Sequence, residues 1–595
     1  MPTAIYESPD SGNSEELINV ALGQEKADLA VISARVLNVY TGELLDDCSI
    51  SIKGKRIAYV GTDPGDTIGE KTVVIDARGK TVIPGLIDGH THIASISDIG
   101  EFLKYAMKGG TTTMITETME AFAVRGYEGV TDFLAALKDQ PVKILGVAPA
   151  MVSISKTAFG ISRETLGKLL DRDDIVGLGE SYWQAVFQEP DRMLPIFQDT
   201  LASGKTLEGH SAGAGGKKLA AYAATGISSC HEPINAEQVL ERLRLGIHVM
   251  AREGSIRRDL GEISEIKEMG ADLRRLTLVT DGVSPGELME KGYMEFVVQK
   301  AIDSGFDPVT AVQMATLNVA EHFSLDGRIG GIAPGRYADM LIIPNIRNIK
   351  AEYVISNGQI ICREGELMVS PRRHTFSEES LTSIRLPDKL KPSDFSVRTK
   401  DGSPEAEVRI IEMVTDLVTK ELRMRLPVIK GEIRADVHQD ILKIAAIDRT
   451  HRPGKTFVGL IKGFRMRAGA IASSAAWDTS DIVVAGADDS DMVLAVNRIH
   501  DLQGGFVVCA GGKVLAELPL PVLGLISDMP TETVAQRIED IRKAAFDLGV
   551  PFPDPLLTLA TLTCAAIPYL RICEEGLVNL RDGKTLGLFV SDPVP

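Results

Sequence analysis

At 595 residues the chain is too long for a single hydrophobic core, and length alone points to about three or four domains. Its hydrophobic content of 44% and charged content of 25% are those of an ordinary globular protein. A formal net charge of −18 repels nucleic-acid backbones and anionic membrane surfaces at long range, so neither is expected as a partner.

The amino terminus, MPTAIYESPDSGNSEELINVALG, is acidic and polar and lacks the basic and apolar stretches of a signal peptide. No run approaches the ~18 apolar residues of a membrane span. The cysteines Cys48, Cys230, Cys362, Cys509, Cys564 and Cys573 show no CxxC spacing and read as reduced core thiols. A cytoplasmic protein is expected.

Residues 27–84 alternate with period two around Gly-centred turns, as in ADLAVISARVLNVYTGE and CSISIKGKRIAYVGTD, and predict a small β module. The same texture returns over 326–370, in GRIGGIAPGRYADMLIIPNIRNIKAEYVISNGQIIC, so the two segments are expected to close into one composite β domain. Between them, residues 85–325 carry eight short apolar runs: Gly85–His90, Thr111–Thr116, Val142–Val147, Ile175–Glu180, Thr206–His210, Gly226–His231, Gly246–Arg252 and Leu276–Asp281. Helical patterns such as NAEQVLERLRLG separate most of them, which fits a (β/α)8 barrel. The polar end of the seventh run, REGS, reads equally as loop. Residues 371–405 are polar and Pro/Ser-rich and read as a linker, and 406–595 mix strands with helices such as DSDMVLAVNRIHDL in a C-terminal α+β domain. The expected class is therefore α/β: a (β/α)8 metallo-barrel with a flanking β-sandwich domain and a C-terminal α+β domain.

The stretch TVIPGLIDGHTHIAS ends the first barrel run in His90 and His92. Residues i and i+2 of a strand share a face, so the two imidazoles project together. Alone, the pair reads as well as two buried histidines with ordinary hydrogen bonds. Four further runs, however, end in a metal-binding residue type: Glu180 closes IVGLGE, His210 closes TLEGH, His231 closes GISSCH and Asp281 closes LTLVTD. Barrel strands deliver their carboxyl ends to one face, where active sites lie. Mixed imidazole and carboxylate donors suit Zn, Fe or Mn better than Ca or Mg.

Six ligands exceed the needs of one open tetrahedral ion, so two divalent ions are expected. His90, His92 and Asp281 would complete one, His210 and His231 the other, with Glu180 bridging. A water shared by two dications ionises near neutral pH and supplies a nucleophile. Glu232, next to His231, is a candidate proton shuttle or an exposed loop glutamate.

PGLIDGHTH between a β module and a barrel, with GRIGGIAPGRYADMLIIP after it, resembles the amidohydrolase superfamily. GHSAGAGGKKLAAYAATGISSCHE, AEQVLERLRLGIHVMAREGS, GFRMRAGAIASSAAWDTSDIVVAGADDSDMVLAVNRI and LAELPLPVLGLISDMP are similar to the adenine deaminase family within it. The resemblance runs from about Asp28 past Pro530. It implies a carboxylate shared by the metals at Glu180, Asp281 after the eighth strand, catalytic roles for Asp281, Glu232 and Glu180, and a homo-oligomer.

The chain departs from that pattern where substrate is expected. HIASI stands for HIESS, placing Ala94 at an acid; ETME, with Glu117, Met119 and Glu120, stands for DPHE; TDG, with Gly282, stands for TDD; WDTSD, with Trp477 and Asp478, stands for HDSHN. The two tryptophans, Trp183 in GESYWQ and Trp477, fall in motifs expected near the pocket. Glu117, Met119, Glu120, Trp183, Gly282, Trp477 and Asp478 are accordingly expected to meet a small heterocyclic substrate.

The leading expectation is hydrolytic deamination, adenine and water giving hypoxanthine and ammonia. Hydrolysis of another nitrogen heterocycle or cyclic amide is the alternative, and a metal-binding module without catalysis a third reading that the full ligand set disfavours.

Overall fold

The structure is a computed structural model that describes residues 11–93, 96–150, 153–158, 160–399 and 403–591. Ala94 lies outside the described residues. All six cysteines are buried free thiols. Among the described residues no helix is long and apolar enough to cross a membrane.

Eight parallel strands form the barrel: β1 (Leu86–Thr91), β2 (Thr111–Thr116), β3 (Lys143–Ala148), β4 (Ile175–Tyr182), β5 (Thr206–His210), β6 (Ser229–Cys230), β7 (His248–Arg252) and β8 (Leu276–Val279). β1 to β5 pair in order as one ladder and β6 to β8 as another. Single backbone hydrogen bonds join the ladders at both seams, Ser228 N to Leu207 O at 2.9 Å and Asp281 N to His90 O at 3.0 Å. The second seam brings the end of β8 against the end of β1, and it is where two of the expected ligand-bearing segments meet.

The differences from the expected runs have local causes. The sixth run, expected over Gly226–His231, keeps only two ladder residues, because Gly226 sits at φ +95° and closes the preceding helical turn. The eighth stops at Val279 instead of Asp281: Asp281 and Gly282 take φ of +57° and +102°, which turns the chain out of the ladder. The seventh holds as strand through Arg252, and Glu253 makes one further bridge to Arg258.

The helices between strands are anchored by side-chain caps at their amino ends. Asp98 accepts from Glu101 N, Ser162 from Thr165 N, Asn235 from Gln238 N, and Asp307 from Val309 N and Thr310 N. Their apolar stripes, such as Phe102, Leu103, Ala106 and Met107 of helix Ile99–Gly109, bury against the barrel.

The segments flanking the barrel share one nine-stranded sheet, in which strand Met340–Ile343 from beyond the barrel pairs antiparallel with Thr81–Pro84 from before it. Val31, Ile50, Val82, Met340 and Ile342 belong to its separate core. Pairing across the insert places Leu86, and hence β1, at the end of a fixed strand.

In the C-terminal region an eight-stranded sheet buries both faces. Along strand Ile441–Asp448, Ala445 and Ile447 join the core under helix Asp489–Leu502, while Ile444 and Ala446 join the one under helix Thr531–Asp547. The polar stretch 371–399 lies on both barrel and sheet. Asp132 of the barrel accepts from Ser377 Oγ at 2.7 Å and Ser380 Oγ at 2.6 Å. Phe376 enters the barrel core; Ile384, Leu386 and Phe395 enter that of the sheet.

Arg449 ties these parts together. Its fully buried guanidinium donates to Ser383 Oγ at 3.0 Å, Leu523 O at 3.0 Å and Ser474 O at 3.2 Å. Arg449→Ala leaves those acceptors unpaired, so a loss of about 2–4 kcal/mol is expected, read as a lower thermal midpoint; an unchanged midpoint would show that the guanidinium holds nothing together.

Candidate metal centre

His90 is the penultimate residue of β1, and His92 lies two residues on, on the same face. Glu180 lies near the end of β4, His210 ends β5, His231 follows β6, and Asp281 follows β8. The parallel ladder carries all six to one mouth of the barrel, where they form two groups sharing Glu180. Donor atoms of His90, His92, Glu180 and Asp281 lie within 4.8 Å of one another, as do those of Glu180, His210 and His231.

Glu180 Oε1 is 3.4 Å from His90 Nε2, 3.4 Å from His92 Nε2 and 3.2 Å from His231 Nε2. Asp281 Oδ1 is 3.1 Å from His90 Nε2 and 3.4 Å from His92 Nε2. The His90 and His231 rings stack at 4.2 Å, which brings the two groups side by side.

Burial alone raises a carboxyl pKa, yet the facing imidazoles of His231, His90 and His92 hold Glu180 well below its usual range. Asp281 is lowered likewise, against its own burial, by His90 and His92. Both are thus held as anions. His92 Nε2 is buried without a hydrogen-bond partner and faces these oxygens. A buried ring nitrogen facing two carboxylates, with three more imidazoles converging, fits a divalent cation and has no purely apolar explanation.

A further layer orients these donors. Glu120 Oε1 lies 2.6 Å from His92 Nδ1, fixing which ring nitrogen faces the cluster. Asp88 accepts from His90 N, from Thr280 Oγ1 at 2.6 Å and from Tyr293 OH at 2.6 Å, stapling the ends of β1 and β8. Arg252, ending β7, donates to Glu232 Oε1 at 2.5 Å, Asp281 Oδ2 at 3.2 Å and Asp259 Oδ2 at 3.0 Å.

Glu232 lies inside the mouth, on the segment that follows β6. Its Oε1 is 3.3 Å from both His210 Nε2 and His231 Nε2, and its side chain is 13% accessible. Burial is outweighed there by Arg252 and His210, which keep the carboxyl ionised.

The mouth holds a chamber of about 350 Å³ lined by Glu180, Tyr182, His210, Glu232, Arg252 and Trp477, among others. A smaller apolar chamber of about 120 Å³ adjoins it and is lined by His92, Glu120, Gly282 and Trp477, with apolar side chains of the C-terminal region.

The amidohydrolase family model matches residues 81–361, and that of the adenine deaminase C-terminal domain matches 416–584. An adenine deaminase of Clostridium botulinum (strain 657 / Type Ba4) is 34% identical over 588 residues, 97% of this chain and 98% of its own. One from Moorella thermoacetica is 35% identical over 584 residues, with the same coverage. The chain belongs to the adenine deaminase family.

Among solved structures, a β-aspartyl dipeptidase from Fervidobacterium islandicum AW-1 aligns with 57% of this chain and 98% of its own, at TM-score 0.45 and 17% identity. Membership of the adenine deaminase family makes the chain a hydrolytic enzyme that uses divalent metal, in keeping with the donor cluster.

The residues expected to meet substrate separate into three kinds. Gly282 and Trp477 line the chambers, and Trp477 lies 5.1 Å from the His92 ring. Glu120 also lines the smaller chamber, but one of its oxygens is committed to His92. Asp478 stands one layer back: it accepts from Tyr182 OH at 3.1 Å and Ala565 N at 2.8 Å, and burial pushes its carboxyl up to about 8.

Glu117, Met119 and Trp183 line neither chamber, contrary to expectation. Glu117, one residue past β2, turns beneath the cluster, where its Oε1 accepts from Glu180 N at 3.0 Å. Burial and the nearby Glu180 push its carboxyl up to about 8. It packs on Gly179, where any Cβ would come within 2.2 Å of Glu117 Oε2. Met119 is buried at the start of helix Met119–Leu137. Trp183 donates Nε1–H to Ala212 O at 2.8 Å, with Lys218 over its ring. Proximity in sequence to a strand end does not set which way a side chain turns.

Asp88, Tyr182 and Arg252 escaped the sequence reading. Asp88 and Tyr182 stand two residues from His90 and Glu180, and Arg252 closes the seventh run. The same strand-end and period-two rules reach all three.

Glu120→Ala removes the carboxylate that orients His92 and should weaken metal binding about 10–100-fold. Competition against a chelator reads this directly; wild-type affinity would show that Glu120 does not position the ligand.

Proposed function

We propose that the protein is a binuclear metal deaminase acting on adenine-type nitrogen heterocycles, replacing an exocyclic amino group with oxygen from water and releasing ammonia. The observation that carries this reading is Glu180, whose one oxygen lies within reach of histidines from both donor groups. His90, His92, Asp281 and Glu180 would hold one ion and Glu180, His210 and His231 the other, with Mn, Fe or Zn suited to these donors. Such ions act as Lewis acids and make water acidic enough to ionise near neutral pH.

The chain's own groups do the rest. Arg252 spans Glu232 and Asp281 and keeps both carboxylates anionic and aimed into the mouth. In our reading these two pass the proton of the attacking water to the departing nitrogen, a role that requires a carboxylate within hydrogen-bond reach of the reacting atoms. Tyr182, bonded to Asp478, closes the chamber on the side of the C-terminal region and limits bulk water. The curated relatives named adenine deaminase, aligned over almost the whole chain, support adenine as the reference substrate.

A second reading, hydrolysis of another heterocycle or cyclic amide at the same centre, is favoured by Gly282 and Trp477. Neither presents the acid or histidine of the adenine-type pattern to a polar ring.

Protein loaded with Mn, Zn or Fe should release ammonia and hypoxanthine from adenine, whereas ring opening of a cyclic amide yields a carboxylate without ammonia. The double variant His90→Ala/His92→Ala should lose bound metal and turnover together, and full metal content with undiminished activity would remove the centre from the mechanism. Glu180→Asp draws the shared oxygens back by about one C–C bond, far beyond the ~0.2 Å that ligation tolerates. It should lose at least one ion per chain, as counted by elemental analysis; retention of two would show that Glu180 is not shared.

A further inference from the structure

The smaller chamber is built differently from the metal-facing one. Ile96, Ala475, Ala476, Phe506, Leu525 and Leu556 wall it. The polar groups along it are bonded in part within the protein: one Glu120 oxygen to His92, Ser255 Oγ to Glu287 at 2.5 Å, and one Arg542 nitrogen to Asp554 at 3.1 Å, while Glu120 Oε2 and Arg542 Nε are buried without a partner.

Trp477, Ile256 and Leu557 line both chambers, so a ring seated against the donor cluster has the apolar space directly beside it. Gly282 enlarges the junction. A Cβ built there meets nothing nearer than Ile256 Cδ1 at 3.7 Å and His92 Cβ at 3.9 Å, and the backbone φ of +102° disfavours any other residue. At about 120 Å³ the chamber is slightly smaller than the ~150 Å³ cavity known to take benzene.

We infer that the substrate is a nitrogen heterocycle bearing an apolar substituent of about four to six carbon atoms, its ring in the metal-facing chamber and its substituent in the apolar one. This rests on the proposed hydrolysis and narrows its substrate class. Water supplies oxygen to the ring carbon, the C–N bond breaks, and nitrogen departs as ammonia or, where it bears the substituent, as the corresponding amine.

The test measures binding and turnover separately on metal-loaded protein. Adenine is compared with two series, substituted by methyl, propyl, butyl and benzyl groups on the exocyclic nitrogen or on a ring nitrogen. Affinity by calorimetry should rise about fourfold per added methylene in one series until the chamber is full. Ala476→Phe should cost that series at least about tenfold while leaving adenine binding within about threefold, a fold set by the lost methylenes. Ala476→Leu, a milder filler, serves if the larger one fails to fold.

Affinity flat or falling with chain length in both series, or a filler that weakens adenine and substituted rings alike, overturns the inference. Release of ammonia or amine answers the other question. Substituted rings that bind as expected without turnover would defeat the hydrolytic reading and leave the chamber's role standing. Turnover of bare adenine with no response to substituents would do the reverse.

Discussion

The molecule is organised around a concentration of charge that no isolated segment could sustain. Glu180, Asp281 and Glu232 are carboxylates taken largely out of water, and four imidazoles and one guanidinium converge on them. Burying such groups is costly unless each is paired. The barrel supplies those pairings by bringing six strand ends to one mouth, and its seams, caps and flanking sheet hold those ends in register.

The seam between β1 and β8 shows how closely scaffold and site are joined. The bond from Asp281 N to His90 O joins the two ladders, and it also sets two donors of one group against each other. Asp88, bonded to His90 N, Thr280 and Tyr293, braces the same junction from behind. The positive φ of Asp281 and Gly282 ends the ladder there and swings the carboxylate inward. The turn that ends a strand thus also delivers a candidate ligand.

The C-terminal region acts as a roof over this mouth. Trp477 stands between the two chambers, and Asp478 reaches Glu180 through the Tyr182 hydroxyl. The backbone of Ile96 pairs with Leu525 and Ser527, tying the loop after β1 to that roof. The candidate metal donors therefore come from the barrel alone, while the chamber walls come from both regions. This division lets recognition change by substitution in the roof, as at Trp477, without disturbing the donors.

Much of this was legible in the chain itself. The apolar runs of the barrel were visible because parallel strands are buried on both faces and read as continuous hydrophobic segments. The six donors were visible because a strand end is a local feature and period two fixes which residues share a face. What the residues could not convey was direction beyond the last ladder bond. Glu117, Met119 and Trp183 stand as near to strand ends as Glu120 does, yet they turn under the cluster, into the core and toward Ala212. The packing of 371–399 was hidden as well, since its polar composition says nothing of Asp132, which waits on a helix some 240 residues away to receive Ser377 and Ser380. Sequence determined the donor chemistry, because ligand identity and strand period are local. Tertiary structure decided the walls around it, because a cavity exists only where distant segments fail to fill the space between them.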